Sequence, residues 1–414
     1  MTGTAAMDIR PILSTLMRHK IASLLIVLEI ALTCAIVCNA LFLIGDRLDR
    51  MNMHSGIADH ELVRIQAASL RQLSSDDAVD KSVSLEYLDT LRKVPGVRQA
   101  AIVSQLPFGG SSNNSSVNLT SDQERPTLNA TVYTDEGSLV KTFGLKLLAG
   151  RDFNSDEFQD ITDLQKAGDK AQIPVAIINR SMAEKLYPGQ NAVGKVFYSW
   201  TESPTRVIGV VEELARPNSL DQGAYAMIFP LRDYGAGKHY ILRTEPGRRA
   251  EVLDAAIKAL KKTDPNLLVV NQDTFDEVRA RYFEQDRAMA WMLVVVIVAL
   301  LLVTALGIVG LASFWVQQRT KQIGVRRALG ATRGQILRYF QLENFLLATV
   351  GIALGMLLAY SINQLLMGKY ELPRLPLHYL PIGAIALWLL GQAAVFGPAR
   401  RAAAVPPAVA TRSV

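Results

Sequence analysis

Cysteine is nearly absent from this 414-residue chain. The two present, Cys34 and Cys38, stand four apart in one apolar run, so a helix there puts both on one face. They read as small packing residues. Residues 46–287 contain none, so that stretch folds without disulfides. Other absences exclude whole classes of chemistry. No G-x-x-x-x-G-K-[ST] string offers a phosphate cradle, and no G-x-S-x-G string offers a nucleophile turn. The five histidines, His19, His54, His60, His239 and His378, show no H-E-x-x-H or other ligand spacing. The residues therefore name no catalytic group, no metal ligand and no directly bound cofactor.

Acids are also missing from one part of the chain. The net charge of +6 conceals a division. Residues 46–287 hold 34 acids against 30 bases, whereas the rest holds 4 acids against 14 bases. The basic excess flanks apolar runs, and residues 46–287 carry no basic stripe, so a nucleic-acid partner is not expected.

Four apolar runs are present: Ile21–Ile44, Ala288–Val316, Tyr339–Met367 and Leu380–Phe396. Three exceed the roughly 20 residues that cross a bilayer, and the fourth sits at the short end. This divides the chain. Residues 1–20 are an N-terminal segment in which Ile9, Ile12, Leu13 and Leu16 recur at helical spacing, as in an interfacial helix. Spans follow at 21–45, 288–316, 339–367 and 380–397. Residues 46–287 form a soluble domain, 368–379 a short outer loop and 398–414 a tail.

The stretch Gln317–Glu343 is the most informative. It lies between two spans and carries Arg319, Lys321, Arg326, Arg327, Arg333 and Arg338, with Glu343 as its only acid. Short basic loops stay on the cytoplasmic side, which places both termini there as well. Ile323, Val325, Ala328 and Leu329 interleave with the bases. Gly330 suits a helix end, and Thr332-x-x-Gln335 suits the start of the next helix. The pattern reads as a short amphipathic helix, a glycine turn and a helix entering the membrane. Two roles remain open: an anchor on anionic membrane lipid, or a docking element for a cytoplasmic partner.

Glu29 lies inside the first span, where an ionisable side chain faces protein rather than lipid. The expected place is a contact between the first span and the second span of a partner protomer. Gly351-x-x-x-Gly355 in the third span is a small-residue face for close packing. In the soluble region, 61–66 and 97–105 read as strands around a helix at 84–93. Strands at 206–211, 226–231, 239–243 and 267–270, with a helix at 248–261, read as a second such half. Residues 154–172 are acidic and polar, and read as loop. Thr274 onward shows no breaker before the second span, so one helix of roughly 60 Å is expected over 274–316, its outer part at 274–287 a stalk.

RTKQIGVRRALGATRGQILRYFQLE (319–343) and PARRAAAVPPAVATR (398–412) resemble the loop and tail of the MacB/FtsX/LolC-type ABC transporter permeases. FGLKLLAGRDF (143–153) and VAIINRSMAEKLYPGQNAVGKVF (175–197) are similar to that family's extracytoplasmic domain. The resemblance implies four transmembrane helices plus a large α+β periplasmic domain. That domain would combine porter-like β-α-β modules at about 46–105 and 206–273 with an inserted sabre-like module at 106–205. It implies a multi-pass permease subunit of the bacterial inner membrane, paired with an identical or related protomer. It also implies a cytoplasmic ABC ATPase dimer that binds ATP and Mg, seated on Ile323, Val325, Arg326, Arg327 and Leu329 of the 317–338 loop. Mechanotransmission would then extrude a drug, peptide or lipid-linked substrate, with a membrane-fusion adaptor as a further candidate partner. The alternative is an FtsX-like signal transducer acting on a partner such as a cell-wall hydrolase.

Overall fold

A computed structural model describes residues 20–74, 76–218, 224–370 and 374–406. The interfacial helix expected before Lys20 and the last tail residues lie outside them. The chain forms two compact units, residues 53–284 and the remainder.

Four long apolar helices dominate the second of these: Lys20–Met51, Glu284–Gln318, Arg333–Tyr370 and Tyr379–Ala403. Each is long and apolar enough to cross a membrane. The first is central. It packs on the third where Gly351 and Gly355 remove all side-chain bulk. A Cβ at Gly355 would lie 2.5 Å from Cys34 Cβ and 2.7 Å from the Ala31 carbonyl oxygen. Both cysteines are buried free thiols, 3.9 Å apart, and Cys38 Sγ fills the space left by Gly383 of the fourth helix. They are packing residues. The second helix is covered least. In its most apolar stretch 11% of residues are buried, against 56% in the first.

Among the described residues, 53–284 build two large sheets and one two-stranded ladder. In the first, β1 (Leu62–Ser69), β2 (Gln99–Val103), β12 (His239–Arg243) and β13 (Leu267–Thr274) lie in the order β13-β1-β12-β2. Helix α1 (Asp77–Arg92) joins β1 to β2, and α5 (Arg249–Thr263) joins β12 to β13. This is the split β-α-β arrangement of ferredoxin-like domains. Alternation sets its core: Val63 and Ile65, Ala100 and Ile102, and Tyr240 and Leu242 point to one face, where Tyr87, Leu91, Ala256 and Leu260 of the helices cover them.

The second sheet is inserted between β2 and β12. It runs β3 (Asn114–Val117), β4 (Leu128–Thr134), β10 (Ala226–Phe229), β7 (Val175–Asn179), β9 (Thr205–Val211) and β5 (Leu147–Gly150), with β8 (Val196–Phe197) on β9. Short helices α2 (Leu139–Phe143), α3 (Ile161–Ala167) and α4 (Arg180–Leu186) belong to this insertion.

Three expectations are corrected. The strands over 206–211 and 226–231 do not belong to the ferredoxin-like sheet. β9 and β10 pair with β7 in the inserted sheet. β9 (TRVIGVV) is apolar almost throughout, and such a strand is stable only in a sheet interior covered on both faces. Residues 154–172 are not simply loop: they hold β6 (Gln159–Asp160), which pairs with β11 (Leu231–Arg232), and α3. The helix expected to run unbroken over 274–316 is two helices. Helix α6 (Phe275–Tyr282) stops at Phe283, whose φ of −93° and ψ of 13° leave helical geometry. The Phe283 ring is buried against Phe108, 5.2 Å between centroids, and Tyr282, 4.8 Å. Packing of one ring overrides local helix preference.

The packing at Gly355 is testable. Gly355→Leu overfills the contact with the first span and should cost about 1–3 kcal/mol, read as a lower melting midpoint in detergent. Gly310→Leu should leave the midpoint unchanged, because nothing lies within 4 Å of that Cβ position.

Candidate functional site

The basic segment folds as its residues dictate. Thr320–Ala328 is a helix. Gly330, at φ +101°, ends it in a left-handed turn: its N–H reaches the Arg327 carbonyl at 3.2 Å, and the Ala331 N–H reaches the Arg326 carbonyl at 3.0 Å. These two bonds define a Schellman cap. The next helix opens with a reciprocal box. The Thr332 N–H donates to Gln335 Oε1 at 2.9 Å, and the Gln335 N–H donates to Thr332 Oγ1 at 3.2 Å.

The five residues named for this helix do not share one face. Ile323 points inward and is buried with Val316, Ile336, Phe340, Ala399 and Ala402. Arg327 also turns in, and its Nη1 donates to the Ala403 carbonyl at 2.5 Å, a cation on the C-terminal end of the fourth helix. Arg326 lies over the Tyr339 ring, 5.1 Å away. Val325 and Leu329, one turn apart, stay outside at 49% and 84% exposure. The helix is thus anchored by Ile323 and Arg327 and presents Val325 and Leu329.

Glu343 is 1% exposed, and Arg319 Nη1 donates to both of its carboxylate oxygens at 3.0 Å. The guanidinium also lies 5.5 Å from the Trp315 ring. This pair ties the end of the second helix to the third. Arg319 reads in sequence as one more loop cation, so the pairing was missed. The available signal was Glu343 itself, since a lone acid in apolar surroundings needs a cation.

Glu29 is elsewhere, half-buried on the first helix. It faces the chain's own second helix, where a Cβ at Gly307 would lie 2.6 Å from both carboxylate oxygens. This contact within the chain is possible because residue 307 has no side chain. One turn away Thr33 and Thr304 share a buried hydrogen bond of 2.8 Å.

A second set of missed residues lies in the 53–284 unit. Arg279 of α6 donates to Asp59 Oδ2 at 2.8 Å and to the Met53 carbonyl at 2.5 Å. Its guanidinium covers Phe108, 5.1 Å to the centroid. Phe108 adopts φ +58°, a conformation costly for an aromatic residue, and is held there by Phe275, Tyr282 and Phe283. The segments that follow the first span and precede the second are therefore clamped together by one arginine. Among the described residues no cluster of histidine, cysteine or acids could hold a metal ion.

Four apolar helices, a basic inter-span helix and a ferredoxin-like domain carrying an inserted sheet define a membrane permease. Family models agree: "MacB-like periplasmic core domain" matches residues 23–260, and "FtsX-like permease C-terminal" matches 294–407. The chain belongs to the MacB/FtsX-like family of ABC transporter permeases. It is 24% identical to the "Uncharacterized ABC transporter permease YknZ" of Bacillus subtilis over 417 residues, which covers 98% of each chain. It is 27% identical to the "Macrolide export ATP-binding/permease protein MacB" of Chromobacterium violaceum over 294 residues, 68% of this chain and 43% of that protein. The chain thus aligns with less than half the length of that relative. Among solved structures, the extracellular domain of YknZ matches 50% of this chain at 17% identity and a TM-score of 0.32.

The ion pair gives a prediction. Glu343→Ala leaves Arg319 buried without a partner and should cost about 3–5 kcal/mol, read by thermal melting in detergent. Replacing both, Arg319→Met with Glu343→Leu, should restore most of that loss.

Proposed function

We propose that this chain is the permease subunit of an ABC system of the bacterial inner membrane, with both termini cytoplasmic. ATP and Mg act in a separate cytoplasmic ATPase dimer, and this chain contributes no catalysis. The observation that carries the reading is the Thr320–Ala328 helix, which is fixed from within by Ile323 and Arg327 yet presents Val325 and Leu329 outward. Exposed apolar residues amid cations suit a groove that is apolar at its centre and acidic at its rim. Because Arg319–Glu343 joins that helix to the third span, a push on it moves the spans as a body.

Movement then reaches the periplasmic domain through paired chain segments. Arg47 of the first span bonds Asp286 of the second. Inside the domain, Arg279 ties the segment after the first span to α6. Hinge and shear motions of packed helices carry such changes. Few polar residues line the spans, which favours a cargo handled outside the membrane rather than passed between helices. The thinly covered second span leaves apolar surface for a second, identical or related protomer. Export of a drug, peptide or lipid-linked molecule, with an adaptor in the periplasm, is the activity this arrangement suits best.

Val325→Asp with Leu329→Asp should abolish co-purification of the ATPase from native membranes while the chain's own melting midpoint stays unchanged. Ile323→Asp should instead lower the midpoint. Normal ATPase recovery with the double variant, or no ATPase recovered with the unaltered chain, would remove this reading.

A further inference from the structure

A sheet leaves backbone groups unpaired at its two edges, and natural sheets blunt those edges unless another strand is to join them. In the ferredoxin-like sheet the edges are β2 and β13. The chain blunts the first. Glu136 Oε1 takes the Ile102 N–H of β2 at 3.0 Å, and Ser138 Oγ donates to the Ala100 carbonyl at 3.0 Å. β13 has no such cover. Among the described residues, nothing hydrogen-bonds the backbone of 268–272 on the side away from β1. No charged residue occurs over 265–272, PNLLVVNQ. Leu268 and Val270 are 62% and 52% exposed. A bulge leaves Val270 without a residue opposite it in β1.

Charge decides what fits this edge. Antiparallel pairing of β13 with itself about a two-fold axis lays its start beside its own end. A strand without charges meets no like charge across that axis. Asp264 and Asp273, at its two ends, are already paired with Arg71 and with Arg64 and Arg281. The flanks are complementary. Lys261 and Lys262 lie in the last turn of α5, before β13, and Glu277 lies in the first turn of α6, after it. All three are exposed and form no ion pair among the described residues. Along the chain β13 leads through α6 into the thinly covered second span. We propose that β13 pairs antiparallel with β13 of a second copy of this chain. The pairing joins two four-stranded sheets into one and sets Lys261 and Lys262 beside Glu277 of the partner subunit. The proposal rests on the reading that two protomers assemble, and adds where their periplasmic domains meet.

The test co-expresses two differently tagged full-length copies, each carrying Val270→Cys, and treats native membranes with a short bismaleimide. Recovery of one tag with the other reads assembly, and a covalent dimer reads the edge. Val270→Cys should give at least tenfold more covalent dimer than Leu85→Cys, an exposed position on α1, or than the unaltered chain, whose two cysteines are buried. Adding Leu268→Lys should cut the covalent dimer of the Val270→Cys chain at least fivefold, because it sets a charge on the paired edge. The melting midpoint should stay unchanged, because residue 268 is exposed. Tag recovery without a covalent dimer at position 270 would overturn this edge and leave the assembly reading standing. No tag recovery would overturn both. Equal cross-linking at positions 85 and 270, or cross-linking indifferent to Leu268→Lys, would also overturn the proposal.

Discussion

One buried ion pair governs the membrane unit. Arg319 and Glu343 sit at the ends of the basic segment, 24 positions apart, and meet where neither reaches solvent. Removing two charges from water is expensive, and their attraction offsets this only when geometry is good and further contacts help. Here one nitrogen chelates both carboxylate oxygens, and the Trp315 ring lies beside the guanidinium. The consequence is positional. The helix between them cannot swing as a loop, because both of its flanks are fixed and Ile323 plugs the space below it. The glycine turn and the threonine–glutamine box complete that rigidity with backbone bonds.

Above this point the bundle depends on residues without bulk. Gly351, Gly355 and Gly383 let the third and fourth spans close on the first, and both cysteines occupy the resulting narrow seam. The second span takes part less, touching the first through Glu29 against Gly307 and through Thr33 with Thr304. A helix held by few contacts at mid-membrane and by an ion pair at each end is suited to tilt. In the periplasmic unit Arg279 and the ring cluster around Phe108 serve a comparable purpose, fixing the entering and leaving segments to one another.

Much of this was legible from sequence where local rules decide. The spans follow from the length of apolar runs. Gly330 and the Thr332–Gln335 box follow from the chemistry of helix ends. The strand-helix-strand runs over 61–105 and 239–270 follow from strand and helix patterning. What failed depended on pairing across distance. Strands β9 and β10 look alike in any sheet, and only their registers with β7 assign them to the insertion. Phe283 interrupts a helix because of rings far away in sequence. Ile323, Val325 and Leu329 all look equally apolar, and only the packed neighbours separate the anchor from the exposed pair. Arg319 looks like any other loop cation until Glu343 is placed beside it. Asp160 and Arg232 sit in segments that carry no motif and become neighbours only through a two-residue ladder.

The central claim is that the basic helix is preformed and rigid before any partner arrives. Hydrogen exchange of the chain alone in lipid nanodiscs measures this directly. Amides of Ile323–Leu329 should exchange at least a hundredfold more slowly than those of an unstructured peptide of the same sequence. Exchange at the unstructured rate would mean the helix forms only on its partner, and would contradict the account.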